Sequence, residues 1–435
     1  MLHSKWEKLG YFHLFIDINL ERIGGNAMRL FKRAIALMLC LSCIGMGAAS
    51  SERGSEEYGE MLSKACLRLG NNVRLKNALD RAKAGENITV AIIGGSITEG
   101  AGAAKYDECY AKRVGVRIAS TYSANVLRGV NLINAGVGGT PSTFGWIRYE
   151  QDVLNRVPDN DPDGLPDIVI IEFAVNDWNE PTKHKCYESM VKSALQQENA
   201  PAVILLFSVF KNGWNLQDEL KKIGETYDLT MISVRDAAYP MMDKFWTKDE
   251  WFSDEYHPTS LGHGVMADCI MSVIDAAYAA ETAPSDIDLD VSPAYGLEYM
   301  GLKRIFAGRA LPEGVTLDVG GFKGDDTASY TNLPVGRVCG QNFCHYGNST
   351  NDPLTFTATF SKLLIGWRTV NSFGTAEVYV DGVLKQKLTA PAGSWGQTEV
   401  SLLLDEGESR EHTVQIRMAE GSENKQFTVT CIGIA

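Results

Sequence analysis

Beyond its first fifty residues the chain has no apolar run long enough to cross a bilayer as a helix. Positive charge is scarce. Lys and Arg number 41 against 54 Asp and Glu, a formal net charge of −13. That deficit argues against a nucleic-acid binder and against docking on anionic membrane by charge. Cysteine is sparse and unpatterned. Past the N-terminal stretch no Cys-x-x-Cys occurs, so no metal is assigned to cysteine. Asp159-Asn160-Asp161-Pro162-Asp163-Gly164 starts like a calcium loop, but its twelfth position is Ile170 instead of a bidentate glutamate. Asp325-Asp326 is read as a solvated turn in preference to a calcium site. No internal repeat or low-complexity segment is present. No cofactor is expected.

What is present is an ordinary globular composition, 45% hydrophobic and 22% charged over 435 residues, enough for two or three domains. Residues 1–49 read as an upstream extension plus a targeting segment. Met28-Arg29-Leu30-Phe31-Lys32-Arg33 is a basic n-region, Ala34 to Gly47 an apolar stretch of signal-peptide length, and Gly47-Ala48-Ala49 a small-residue cleavage site. Residues 1–27 fit no signal peptide, so translation is expected to begin at Met28. The mature protein is expected outside the cell or at its surface, with no stable membrane insertion. Export permits disulfides. Seven cysteines remain after Cys40 and Cys43 are removed, and Cys339 with Cys344 is the nearest candidate pair.

From residue 50 to 280 strands and helices alternate. Met61 to Ala84 has helix-forming composition. Ile88 to Ile93 is short, β-branched and uncharged, the mark of a buried strand. Similar runs recur at 130–134, 167–173, 202–208 and 229–234, separated by helical stretches and closed by a helix from Thr259 to about Ala279. Five strands alternating with helices imply a parallel sheet covered on both faces. Residues 281–295 read as a linker, with Asp286, Asp288 and Asp290 solvated. Beyond it, period-2 alternation at 355–360, 376–380 and 412–418, with an Asp381-Gly382 turn, predicts an all-β sandwich over 296–435.

Chemistry-bearing residues fall at the strand ends. Gly94-Gly95-Ser96 follows the first buried strand, Gly138-Gly139 the second, and Asn176-Asp177 the third. Asp254 and His257 share one loop. In a parallel sheet such strand ends line one edge, where ligands bind. A serine hydroxyl needs a base, and His257 can take its proton. The imidazole needs an acceptor at its other nitrogen, and Asp254 is three residues away. A tetrahedral intermediate needs donors, which the Ser96 and Gly139 N–H groups and the Asn176 amide can supply. Trp178 and Trp251 flank two of these segments. Stacking on a sugar ring, lining an acyl pocket and packing in the core are all open to them. His184 and His263 read as structural or solvated.

Gly94 to Thr98, Asn134 to Gly139, Ala174 to Asp177 and Asp254 to Pro258 resemble the four blocks of the SGNH (GDSL-like) hydrolases, in the same order. Gly95 stands where that family often has aspartate, and Ala174-Val175 where it often has Gly-Gly. The resemblance implies a flavodoxin-like α/β/α sandwich with a parallel sheet, Ser96 as nucleophile, an Asp254–His257 pair, and an oxyanion hole of Ser96, Gly139 and Asn176. The α/β-hydrolase elbow fits less well, because Thr98 replaces its last glycine.

The whole is similar to secreted carbohydrate acetylesterases with a fused, jelly-roll-like β-sandwich. The expected activity is removal of O-acetyl groups from a polysaccharide or oligosaccharide, with acylated glycan as partner and no nucleic acid. A lipase, lysophospholipase or thioesterase of the same family, and a glycan-binding surface protein with a vestigial hydrolase domain, are the alternatives.

Overall fold

The computed structural model describes residues 54–435 except 330, 334, 335 and 339, and of 331–333 and 336–338 the backbone alone. The expected targeting segment and Cys339 lie outside the described residues. The first elements are α1 (Glu56–Ser63), β1 (Cys66–Arg68) and α2 (Val73–Ala84), so the single helix expected from Met61 to Ala84 is in fact broken. The reason is tertiary. Cys66 pairs antiparallel with Ile232 at the edge of a sheet, and Gly70-Asn71-Asn72, poor helix formers, separate the strand from α2.

The sheet continues with β2 (Ile88–Gly94), β3 (Val130–Gly136), β4 (Ile168–Glu172), β5 (Ala202–Phe207) and β6 (Thr230–Ser233). Its order is β1-β6-β5-β4-β2-β3, parallel except for β1. Every residue of β2, β4 and β5 is buried. Alternate residues serve opposite faces. Val90, Ile92, Ile168, Ile170 and Ile204 join one apolar cluster, and Ala91, Ile93, Val169, Ile171 and Leu205 join the other. Each fully buried Ile or Leu contributes about 1.5–3 kcal/mol.

The first face is covered by α1, α2, α4 (Tyr110–Tyr122) and α10 (Ser260–Ala279). The second is covered by α5 (Ser142–Asp152), α6 (Lys185–Leu195) and α7 (Gln217–Thr226). Three one-turn helices complete the α/β/α layers: α3 (Ser96–Glu99), α8 (Val234–Ala237) and α9 (Lys248–Trp251).

Residues 280–302 form no helix or strand, yet they are packed down. Buried Glu188 accepts the N–H groups of Ala294, Tyr295 and Gly296 at 2.6–2.9 Å. Asp286 is exposed, as expected, and also accepts two hydrogen bonds from the Arg74 guanidinium at 2.7 and 2.8 Å.

The remaining strands are antiparallel: β7 (Lys303–Ile305), β8 (Thr316–Asp318), β9 (Thr331–Leu333), β10 (Gly336–Val338), β11 (Phe343–His345), β12 (Leu354–Val370), β13 (Ala376–Val380), β14 (Val383–Leu388), β15 (Trp395–Met418) and β16 (Phe427–Ile434). The main sheet runs β11-β16-β12-β15-β13-β14, and β9 pairs with β10 alone. In β12 the inward residues are Leu354, Phe356, Ala358 and Phe360, then Leu363, Ile365 and Trp367. An irregularity between Phe360 and Lys362 shifts the parity by one residue. Past it, Leu364 faces outward, joining Cys431 in the cluster under α5. Arg304 ties the two regions further: its guanidinium lies over the Trp146 ring and donates to the Ile147 and Trp146 carbonyls.

Candidate active site

Ser96 stands where β2 stops and α3 starts. Gly95 precedes it, and the reason for glycine is contact. A Cβ at residue 95 would lie 2.2 Å from Asn176 Oδ1. In this structure the Asn176 amide occupies the space that a side chain at residue 95 would need.

The loop after α9 brings Asp254 and His257 to Ser96. An isolated bridge between Phe252 and Pro258 closes it, and the Ser253 N–H donates to the His257 carbonyl at 2.8 Å. Asp254 Oδ1 accepts the N–H groups of Tyr256 and His257 at 2.7 and 2.8 Å. Asp254 Oδ2 lies 2.8 Å from His257 Nδ1, and His257 Nε2 lies 2.9 Å from Ser96 Oγ. Burial pushes the Asp254 carboxyl up, but the His257 ring and the two amides outweigh it and hold it below its usual range. An anionic Asp254 fixes the tautomer in which Nε2 can accept the serine proton.

Gly139 adopts φ +67°, the left-handed region that suits glycine. Among the described residues its N–H makes no hydrogen bond, whereas the Gly138 N–H donates to Glu99 Oε2 at 2.8 Å. Asn176 sits in a tight turn, its N–H donating to the Phe173 carbonyl at 2.9 Å. The next residue, buried Asp177, accepts the Ser142 N–H at the start of α5, at 2.7 Å. Burial first, and Glu180 second, push the Asp177 carboxyl well up. Ser96, Gly139 and Asn176 therefore line one cleft, of about 1470 Å³.

The cleft is built from both regions. Trp178, Phe210, Trp214 and Tyr256 line it from the α/β layers, and Arg368, Trp395 and Gln397 from the β region. Trp178 is 73% exposed and Trp395 67%. Trp395 and Glu99 escaped the reading of the sequence. Neither belongs to a motif, and Trp395 lies some three hundred residues past Ser96, so no local signal marks it.

Trp251 is corrected. It is 1% exposed, packs on Phe252 at a ring distance of 4.6 Å and does not line the cleft. As the last residue of α9 its ring is covered by the rest of the core cluster. His263 is buried between the Tyr110 N–H and the Ala101 carbonyl, and burial pushes its pKa down to about 4. Asp326 is buried and bound to Arg368 and Thr428. Among the described residues no group of three or more His, Cys, Asp or Glu could hold a metal. No described helix is long and apolar enough to cross a membrane.

Residues 92–265 match the GDSL-like lipase/acylhydrolase family. Two solved structures align over 86% of this chain and 97% of their own, each with a TM-score of 0.70. One is a two-domain esterase (CEX) active on acetylated mannans, 27% identical. The other is that esterase co-crystallised with mannopentaose, 29% identical. No curated protein sequence matches the chain. Residues 92–265 are thus a GDSL-like acylhydrolase domain. The protein is a carboxylic-ester hydrolase with an antiparallel β region at its C-terminus.

Proposed function

We propose that this protein is an exported acetylesterase that removes O-acetyl groups from a mannan-class polysaccharide. The observation that carries this reading is the cleft. It is lined by Ser96 and His257, the latter hydrogen-bonded on to Asp254, and by the exposed rings of Trp178 and Trp395 from two regions of the fold. Flat aromatic faces suit the apolar faces of sugar rings. Polar side chains among them, such as Asn212 and Gln397, suit sugar hydroxyls. Similarity over 86% of the chain to an esterase active on acetylated mannans supports the glycan class.

The geometry supports a two-step chemistry. Ser96 Oγ gives its proton to His257 Nε2 and attacks the acetyl carbonyl. The oxyanion takes the N–H groups of Gly139 and Ser96 and the Asn176 amide. His257 returns the proton to the sugar oxygen, which leaves as a free hydroxyl with acetyl on Ser96. Water, deprotonated by His257, then attacks the acyl carbon, and acetate leaves as His257 returns that proton to Ser96 Oγ. The basic and apolar stretch before Ser50 supports export.

The test is acetate release from a panel of acetylated polysaccharides, wild type against Ser96→Ala. Release from acetylated mannan, lost by about 10³-fold or more in the variant, is the expected result. Cleavage of long-chain acyl esters with no glycan deacetylated would overturn the substrate, and an active Ser96→Ala would overturn the nucleophile.

A further inference from the structure

The one-turn helix that carries Ser96 carries a second polar group into the cleft. Glu99 lies three residues on, at the helix's end, half-buried. Its Oε2 accepts the Gly138 N–H, and the carboxylate makes no other hydrogen bond among the described residues. Gly138 immediately precedes Gly139, whose own N–H is left for the substrate.

Few other hydrogen bonds hold this segment. The Val137 N–H donates to the Gly94 carbonyl at 3.1 Å, and Thr140 Oγ1 to the Val137 carbonyl at 2.8 Å. Between those bonds lie two glycines, the residues that lose most backbone freedom on ordering. Among the described residues, Glu99 makes the sole side-chain hydrogen bond to either. Asn134 braces the same junction from the other side. Its amide donates to the Thr98 carbonyl at 2.7 Å and its oxygen accepts the Gly136 N–H at 2.9 Å.

We infer that Glu99 is a positioning residue for the oxyanion hole: it holds Gly138 so that the Gly139 N–H keeps its place beside an acyl group on Ser96. The inference rests on Ser96 as nucleophile and Gly139 as donor. Its consequence is that nucleophile and oxyanion donor are tied to one helical turn and move as one body. The role needs an acceptor oxygen and no charge, since a carboxylate so close would oppose a developing oxyanion. Burial holds the Glu99 carboxyl above its usual range against the pull of the Gly138 amide, Arg148 and His257. Protonated or not, it keeps one oxygen for Gly138.

The test compares Glu99→Ala, Glu99→Gln and Ser96→Ala on an aryl acetate, which reports the chemistry independently of glycan binding. Glu99→Ala should lower kcat by about 10- to 100-fold with KM within about threefold, as expected when an interaction matters in the transition state. Glu99→Gln should restore kcat to within about threefold of wild type, because its amide oxygen can accept the same N–H. A wild-type kcat in Glu99→Ala, or a Gln variant as impaired as the Ala one, overturns the inference. Should Glu99→Ala not fold, Glu99→Met, similar in length and without the oxygen, takes its place with the same expectation. Ser96→Ala separates the two levels: if it still hydrolyses the ester, the reading of the site fails and the role of Glu99 is not what was at fault.

Discussion

Trp395 lies across Gly139. Its Cζ2 stands 2.8 Å from where a Cβ on Gly139 would be, and its Cη2 3.3 Å. The first residue of β15 thus rests on the loop that carries Gly139, the proposed oxyanion donor. A β region that only stabilised the α/β layers would have no need to reach this point. Here its docking through Arg304, Leu364 and Cys431 sets the wall of the cleft as well.

Trp395→Ala should therefore separate two substrates. Glycan KM should rise by roughly tenfold, the loss of about 1–2 kcal/mol of ring contact. Turnover of an aryl acetate, which is too small to span the cleft, should change by less than about threefold. Steady-state kinetics on both esters checks this. Equal losses on the two would show that the ring acts on the oxyanion loop and not on the sugar.

Gly95→Asp tests why this chain departs from the family's frequent aspartate. With Asn176 Oδ1 2.2 Å from the new Cβ, the amide must move. The expected result is a kcat loss of about 10²-fold, approaching that of Asn176→Ala, since one displaced oxyanion donor costs about 10²–10³. The double variant should lose little more than either single one. Additive losses would mean that Gly95 and Asn176 act separately.

Glu188 offers a stability prediction away from the site. Replacing it by alanine leaves three backbone N–H groups of residues 294–296 without their acceptor. These N–H groups are part-buried, so each unmade bond costs about 1 kcal/mol, the low end of the range for buried groups. Glu188→Ala should lower unfolding free energy by roughly 3 kcal/mol or more, read by denaturant titration. Glu188→Gln, which keeps an acceptor oxygen, should lose less.

Glu172 gives stability a pH dependence. It is fully buried under Thr98 and Ser208, whose hydroxyls donate to it. Burial pushes its pKa from 4.5 to about 7, against those two bonds. Below pH 4.5 the group is protonated whether the chain is folded or not. Between 4.5 and 7 the unfolded chain releases the proton while the folded one keeps it, so stability falls as pH rises through that window. The fall amounts to about 3 kcal/mol. Glu172→Gln, which cannot ionise, should lack it. Thermal melts of both proteins from pH 4.5 to 7.5 check the difference. Parallel curves would show that the carboxyl ionises freely in the fold.

Much of this protein is local and therefore readable in the chain. The strands β2, β4 and β5 are buried on both faces, so almost every residue must be apolar, and such runs stand out without an alignment. The glycine breaks after β2 and β3 mark where backbone must turn. Asp254 and His257 lie on one loop, so their spacing already encodes their contact. A parallel sheet covered on both faces followed from that pattern, and the flavodoxin-like sandwich from the family resemblance.

What only the tertiary structure decided depends on contacts between distant segments. Cys66 to Arg68 is a strand because β6 offers an open edge, which helix-forming composition cannot announce. Trp178 and Trp251 look equivalent in sequence, yet one is exposed in the cleft and the other sealed beneath α10, because burial is set by neighbours far along the chain. Asp286 is exposed, as its spacing suggests, and the partner it meets there, Arg74, lies over two hundred residues earlier. Glu99 and Trp395 converge on Gly138 and Gly139 from the two sides. A sequence states which groups it owns. Which of them share a cleft is settled when packing brings together residues that no period or motif connects.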